Sequence, residues 1–139
     1  MKDVTAAIVL KGGRVFVARR PAHVKLGGLW EFPGGKREPG ESPEECLARE
    51  MKEEFGAIVR IGEFFMESLH QYDFGAIRLL AYFTHCDDED LIPLEHSERR
   101  WASMSELAAL TLTPADVPIA QSLIRHMAEC PDFRGEVES

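Results

Sequence analysis

Alternating apolar and polar blocks along the chain predict a series of short strands interrupted by helices. Runs rich in aliphatic and β-branched residues predict strands at Val4–Leu10, Arg14–Arg19, Ala57–Phe65 and Ile77–His85. Lys11-Gly12-Gly13 is expected to turn a hairpin between the first two strands, and a second hairpin is expected around Asp73–Ala76. The pattern therefore favours a fold that mixes strands with helices.

The best-defined element is a helix that starts after Ser42 and stops before Gly56. Ser42 is a good N-cap, Pro43 fits the first helical position, and Glu45 stands three residues past the cap to close a capping box. Gly56 is the usual residue just beyond a helix end. An apolar stripe at helical spacing is expected to face the core: Cys46, Leu47 and Met51.

The C-terminal third predicts a short strand containing Trp101, a short helix and a longer final helix. Either Ser103 or Ser105 can cap the short helix. The final helix is expected to run from about Val117 to Ala128, with its apolar positions facing the core: Ile119, Leu123 and Ile124. Asp116 stands where it can cap that helix.

Composition places the chain among single-domain globular proteins and excludes several partners. Its 139 residues are 45% hydrophobic and 29% charged, which predicts one domain over 1–130 and a flexible tail over 131–139. The net charge of −8 argues against binding nucleic-acid polymers or anionic membranes, but not against a small anionic substrate. Asp87–Asp90 is expected to be a solvated loop. No signal peptide or membrane span is predicted, and three cysteines without metal-binding spacing indicate a reduced, cytoplasmic protein.

Three carboxylates of the predicted helix, Glu50, Glu53 and Glu54, share one face. Alone, this run would indicate a solvated surface. Its surroundings favour another interpretation, because Gly35 is followed at fixed spacing by Glu41, Arg49, the three glutamates and Gly56. This arrangement resembles the Nudix box of the Nudix hydrolases at each fixed charged or glycine position. Ala57 departs from the larger aliphatic residue usual in that family, which bears on packing alone.

The resemblance extends over nearly the whole chain. The segment Val17–Gly40 is similar to that of MutT-type enzymes and bacterial CTP pyrophosphohydrolases. It implies an α/β (α+β) class and the Nudix fold, a mixed β-sheet in an α/β/α sandwich that carries a loop–helix–loop box. The implied reaction is metal-dependent attack of water on a nucleoside triphosphate, which gives nucleoside monophosphate and pyrophosphate.

Clustered glutamates suit Mg²⁺, or alternatively Mn²⁺, since these hard cations take carboxylate oxygens, water and substrate phosphates as ligands. By resemblance, Glu50, Glu53 and Glu54 hold the metal together with a carbonyl of Gly34 or Gly35. A further glutamate is expected before the Trp101 strand, where Glu95 fits best and Glu98 competes. Glu53 is the first candidate for the general base, with Glu50 and Glu95 as rivals. Arg49 is expected to orient a neighbouring glutamate through a bidentate pair.

The resemblance also implies the residues that contact the substrate. Arg20 and Lys36 are expected to meet the phosphates. Phe32, Asp116 and either Leu80 or Tyr82 are expected to line the base pocket. MutT-type enzymes carry an Asn at the place of Asp116 that reads oxidised guanine. An ionised Asp only accepts hydrogen bonds, which favours a base bearing an exocyclic amine, such as cytosine.

The expected substrate is therefore a cytidine-type nucleotide or a broad or damaged set of (d)NTPs, bound by a monomer or homodimer. A MutT-type enzyme that removes 8-oxo-dGTP is the first alternative. A nucleotide-sugar or dinucleoside polyphosphate hydrolase is the next, although Glu67–Gly75 lacks the Pro of related ADP-ribose enzymes and Tyr72 only weakly matches a dinucleotide-enzyme Tyr. A non-catalytic binding module of the same fold is the third alternative, against which the intact box argues.

Overall fold

The computed structural model describes residues 1–86 and 91–130. Along the chain the elements are β1 (Lys2–Ile8), β2 (Leu10–Lys11), β3 (Arg14–Arg19), β4 (Trp30–Glu31), α1 (Pro43–Phe55), β5 (Val59–Tyr72), β6 (Gly75–Cys86), β7 (Glu98–Ala102), α2 (Met104–Ala109) and α3 (Val117–Glu129). The acidic loop predicted at Asp87–Asp90 and the tail predicted from Pro131 lie outside the described residues.

The strands form two sheets. In the first, of order β1-β6-β5, β1 runs parallel to β6, and β5 runs antiparallel to it. In the second, β3 pairs antiparallel with β2, β4 and β7. The first sheet is therefore mixed, as the resemblance implied.

Successive residues of β1 and β3 are buried on opposite faces, so both faces are covered. Ala6 and Ile8 join one core cluster with Ile119 and Leu123 of α3. Ala7 and Phe16 join the other with Leu47, Met51 and Phe55 of α1. Strands buried on both sides explain why the sequence shows continuous apolar runs rather than alternation. The result is the α/β/α sandwich expected for the Nudix fold.

The helix ends follow the local rules. Ser42 and Ser103 each accept a hydrogen bond from the third helical amide, and the carboxylate of the glutamate at that position accepts one from the cap amide, so both capping boxes form. Ser103, not Ser105, is thus the cap of α2. Gly56 ends α1 in the left-handed conformation, with φ of 64°.

Three expectations about elements need correction. β1 does not pair with β3 along its length, because the hairpin around Gly12 joins only the short β2 to β3. β5 continues to Tyr72, well past the predicted end at Phe65, and shifts its register between Ile61 and Met66. Asp116 precedes α3, but its side chain makes no capping hydrogen bond.

Candidate active site

A cavity of about 590 Å³ lies between the glycine loop after β4, the acidic face of α1 and the segment that leads into α3. Glu50 and Glu54 line one part of it beside Gly34 and Gly35. Thr113, Ala115 and Asp116 line another part. The cavity therefore brings together residues that are far apart in the sequence, and its size suits a small-molecule ligand.

Arg49 organises the acidic face of α1. Its guanidinium donates to both carboxylate oxygens of Glu41 at 2.8 and 3.1 Å, to Glu50 at 3.0 Å and to Glu53 at 3.1 Å. It also donates to the carbonyl of Lys36 at 3.0 Å, which ties the helix to the glycine loop. Hydrogen bonding to Arg49 lowers the pKa of Glu41 to about 2, so Glu41 stays ionised as a permanent partner. Arg49 thus joins the carboxylates of Glu41, Glu50 and Glu53 through one guanidinium.

Glu54 is a half-buried carboxylate that lacks a full set of partners. Burial, together with the charges of Glu50, Glu31 and Glu95, raises its pKa to about 8. Its Oε2 atom is buried and makes no hydrogen bond to any described residue. Burial also raises the pKa of Glu50. Such a cluster is unfavourable unless a cation compensates it.

The carboxylates fit a divalent cation by charge, donor type and location. Over residues 1–86 and 91–130, no three acidic, histidine or cysteine side chains already converge on one ion position. Arg49 stands between Glu50 and Glu53, so both would exchange bonds with it to approach an ion. Glu53 itself is 59% exposed and is free to do so.

The glycine pair packs so tightly that a side chain cannot be placed there. A Cβ on Gly35 would lie 2.3 Å from the Glu50 carboxyl carbon, and one on Gly34 would lie 1.9 Å from the Thr5 carbonyl oxygen. The Gly35 carbonyl already accepts hydrogen bonds from the amide and hydroxyl of Thr5, at 2.8 and 3.2 Å. The Gly34 carbonyl is therefore the better of the two candidate backbone ligands.

Gly35→Ala is expected to displace the Glu50 carboxylate and reduce kcat/KM by on the order of 10²-fold or more, because a misplaced ligand lowers metal affinity. Isothermal titration with Mn²⁺ and turnover assays would measure both effects. Gly12→Ala is the control, since its added Cβ would meet nothing within 4 Å. That variant should lose some stability through its positive φ and keep its metal affinity. Normal metal binding by Gly35→Ala would contradict this role of the close packing.

The two candidates for a further glutamate lie in different surroundings. Glu95 lines a second cavity of about 540 Å³ together with Glu54, Glu31 and His96, and its charge reaches Glu54. Glu98 instead pairs with Arg19 at 2.9 Å. Leu94 N donates to the carbonyl of Glu54 at 2.9 Å, which fixes the Glu95 loop against the end of α1. The geometry therefore favours Glu95.

The expected substrate-binding residues all line the first cavity: Arg20, Phe32, Lys36 and Asp116. Arg20 pairs with Glu31 at 3.0 Å and also donates to the carbonyl of Lys25 at 2.8 Å. Asp116 is buried, and its carboxylate accepts hydrogen bonds from the Phe32 amide at 3.1 Å and from the Thr113 hydroxyl. Burial, then the charge of Glu31, raises the pKa of Asp116 to about 7.

Leu80 and Tyr82 do not line this cavity, so that expectation is wrong. Both side chains pack into the core beneath α1, where the Tyr82 hydroxyl approaches Glu44. Leu79 and Tyr72 line the cavity instead. Tyr72 was noted only as a weak match to dinucleotide enzymes, and its hydroxyl accepts from the Ala115 amide at 2.8 Å.

Glu31 was missed as a site residue. It borders both cavities and bonds Arg20 through Oε1 and His96 Nε2 through Oε2, at 3.0 and 2.9 Å. A polar residue between the buried Trp30 and Phe32 was the signal that could have revealed it, since alternation along a strand directs Glu31 to the other face.

The fold and the acid cluster together define a hydrolase of the Nudix family. Residues 1–123 match the NUDIX domain, and the chain belongs to that family. Nudix hydrolases act on small nucleotide substrates and generally use divalent metal ions. No helix in the described part of the chain is long and apolar enough to span a membrane.

Among characterised relatives, CTP pyrophosphohydrolase of Escherichia coli is 35% identical over 131 residues, which cover 94% of this chain and 97% of that protein. The 8-oxo-dGTP diphosphatase of Escherichia coli is 29% identical over 90% of this chain and 99% of that protein. The solution structure of the E. coli ORF135 protein matches with a TM-score of 0.80 and 36% identity, covering 96% of this chain and 95% of that one.

Proposed function

We propose that this Nudix hydrolase is an Mg²⁺-dependent nucleoside triphosphate pyrophosphohydrolase that prefers cytidine-type nucleotides, whose base presents the exocyclic amine N4. The observation that carries the proposal is the first cavity, which has Glu50 and Glu54 in one part and the buried Asp116 in another. A nucleotide also has two chemically different ends, a polyphosphate and a base. The similarity to CTP pyrophosphohydrolase supports the same choice of substrate.

The residues at the phosphate end would have three roles: metal binding, general-base catalysis and phosphate binding. A bound Mg²⁺ would supply charge neutralisation and lower the pKa of a coordinated water, and Glu50, Glu53, Glu54, Glu95 and the Gly34 carbonyl would hold it. Glu53 is the exposed one of the three glutamates on α1 and is the proposed general base, with Glu50 and Glu95 as the rival candidates. Arg20 and Lys36 line the same cavity and would bind the phosphate oxygens.

At the other end, Asp116 would read the base. When ionised, its carboxylate can accept a hydrogen bond from an exocyclic amine such as N4 of cytosine. The Phe32 amide and the Thr113 hydroxyl hold the carboxylate in one orientation. When protonated, it could also donate to an oxo group, which is the chemistry that an oxidised purine would need.

Initial rates of pyrophosphate release with Mg²⁺ test the proposal across CTP, dCTP, 5-methyl-dCTP, dGTP, 8-oxo-dGTP, dATP, 2-hydroxy-dATP, ADP-ribose and a diadenosine polyphosphate. The expected result is a higher kcat/KM for CTP, dCTP and 5-methyl-dCTP than for the purine nucleotides of the panel. If ADP-ribose or the dinucleotide were preferred, the hydrolase would remain but the assigned substrate would be wrong. If 8-oxo-dGTP were preferred at pH 8, where Asp116 is mostly ionised, the assigned role of Asp116 would be wrong.

Asp116→Asn is expected to shift the ratio of kcat/KM for CTP and 8-oxo-dGTP towards the oxo-purine by about 10–100-fold, since the amide both donates and accepts. In the wild type the same ratio should depend on pH. The pKa of Asp116 is raised to about 7, so the carboxyl is mainly neutral below that pH and charged above it. The ratio of kcat/KM for CTP to kcat/KM for 8-oxo-dGTP should therefore rise as the pH rises through 7. Asp116→Asn should remove this pH dependence of the ratio, whereas an unchanged profile would exclude Asp116 as its source.

The choice of Mg²⁺ over Mn²⁺, the cytoplasmic location and the state as monomer or homodimer stay predictions from the sequence. Metal choice is tested by titrating each ion into metal-free protein and measuring turnover at saturation. Sedimentation velocity at several protein concentrations tests the oligomeric state.

A further inference from the structure

Two loops meet at the first cavity through a contact between a lysine and an aromatic ring. Lys25 lies in the loop between β3 and β4, and Phe74 lies in the turn between β5 and β6. The Lys25 Nζ atom is 4.5 Å from the centroid of the Phe74 ring. Both residues line the cavity, and we call them the mouth pair.

Phe74 extends an aromatic wall from the base-reading end. Its ring stacks on Tyr72 with centroids 4.9 Å apart and planes 7° apart. The Tyr72 hydroxyl accepts from the Ala115 amide, directly before Asp116 in the chain. Phe74 is nevertheless 46% exposed. A nucleoside in the cavity could pack against the exposed part of this ring, because nucleobases associate readily with aromatic side chains.

Lys25 is joined through its backbone to the proposed phosphate-binding arginine. Its carbonyl accepts from Arg20 Nε at 2.8 Å, and Arg20 in turn pairs with Glu31. Within the described residues, the ammonium contacts the Phe74 ring and forms no ion pair with a carboxylate. Its charge is therefore available to an anionic ligand.

The loop that carries Lys25 is held in a strained conformation. Leu26 has φ of 58°, and it is the one non-glycine residue with positive φ in the part of the chain that the structure describes. A Cβ on the next residue, Gly27, would lie 2.5 Å from the Ala22 carbonyl oxygen, so the loop is closed tightly on itself. Leu26 packs against the main core and lines the cavity. Backbone strain of this kind is often retained where a loop must present particular side chains to a ligand.

We propose that the mouth pair binds the substrate: Phe74 packs against its nucleoside and Lys25 pairs with its phosphate chain. This inference rests on the proposed nucleotide substrate and assigns two further binding residues to it. Neither residue is among those that the acid cluster and the Asp116 segment supply. The pair would determine KM and retention of the nucleotide rather than the chemical step, because neither side chain lies at the glutamates.

Steady-state kinetics with CTP test the mouth pair. Phe74→Ala should raise KM by about 5–20-fold, the range expected for losing one stacking contact. Lys25→Met should raise it by about 2–5-fold, and Lys25→Arg should restore most of the loss because arginine keeps the charge and the ring contact. In each variant kcat should stay within about twofold of the wild type. The double variant should show a non-additive change in KM, since the two side chains touch.

The affinity of the metal-free protein for CMP, measured by calorimetry in EDTA, gives a second readout that does not depend on turnover. Phe74→Ala should weaken this affinity by the same factor by which it raises KM. Phe64→Ala is the matched control, because Phe64 is 50% exposed, makes an edge-to-face contact with the Tyr82 ring and does not line the cavity. Phe74 and Lys25 variants with unchanged KM and unchanged CMP affinity would overturn the inference. A wild type that binds CMP but hydrolyses no triphosphate would instead overturn the proposed function and leave the binding comparison intact.

Discussion

Glu54→Gln is expected to reduce turnover by on the order of 10²–10³-fold and, at the same time, to stabilise the metal-free protein. The loss of activity follows because an amide is a much poorer ligand for Mg²⁺ than a carboxylate. The gain in stability follows because Glu54 is buried near the charges of Glu50, Glu31 and Glu95. The carboxyl can fold there at neutral pH mainly by taking up a proton, and glutamine avoids that cost, so the substitution should raise Tm by a few degrees.

The stability difference should depend on pH in a defined direction. In the folded metal-free protein the pKa of Glu54 is about 8, above its ordinary value of 4.5. The folded state therefore holds a proton that the unfolded state releases, so this group makes the wild type less stable as pH rises from 4.5 towards 8. Glutamine does not titrate, and the difference in Tm should thus grow over that window. Thermal unfolding in EDTA at several pH values measures it.

Glu53→Gln is the matched control for this prediction. Glu53 stands one residue away on the same face but is 59% exposed, so its replacement should remove turnover with little change in Tm. Addition of Mg²⁺ should stabilise the wild type more than Glu54→Gln, because the variant binds the ion less tightly. A Glu54→Gln protein that is less stable than the wild type in EDTA would show that the cluster is not strained. A Glu53→Gln protein with full activity would refute Glu53 as the general base.

Arg49→Lys is expected to lower kcat/KM by about 10–100-fold despite keeping the positive charge. The guanidinium holds Glu41 with two bonds and reaches Glu50, Glu53 and the Lys36 carbonyl at once. A lysine ammonium has three donors on one atom and cannot reproduce this fork. The glutamates should therefore lose their common orientation, and the affinity for Mg²⁺ should fall with activity.

Calorimetric titration of Mg²⁺ and steady-state kinetics measure the two effects on Arg49→Lys. Arg14→Lys serves as the control, because Arg14 makes a surface pair with Glu106 far along the chain from the box. That variant should keep metal affinity and kcat/KM within about twofold of the wild type. Equal behaviour of the two variants would show that the shape of the Arg49 side chain is unimportant.

Features set by neighbouring residues could be predicted from the sequence. The limits of α1 follow from the Ser42 cap, the Glu45 capping box and the Gly56 stop, all of which form within a few residues. The grouping of Glu50, Glu53 and Glu54 follows from helical periodicity. The family resemblance then supplied the sandwich, which local patterns alone could not define.

The base pocket could not be predicted in full because β6 is buried on both faces. Its central residues are apolar whichever way they point, so alternation gives no sign of which face meets the cavity. Neighbouring residues of a strand point to opposite faces of the sheet, so Leu79 lines the cavity whereas Leu80 packs beneath α1. The non-capping role of Asp116 was equally hidden, since its carboxylate bonds Phe32, which is 84 residues away.

The short segment from Trp30 to Gly35 connects the Asp116 end of the cavity to its Glu50 end. The Trp30 amide and carbonyl bond Thr111 and Thr113, and the Phe32 amide bonds Asp116, which fixes the base-reading segment to this stretch. Three residues further on, Gly35 packs directly against Glu50. This short backbone segment thus fixes the distance between the proposed base-binding and phosphate-binding ends of the cavity. Substitutions in the 113–116 segment could accordingly change base selectivity while the distance from this segment to the glutamates stays the same.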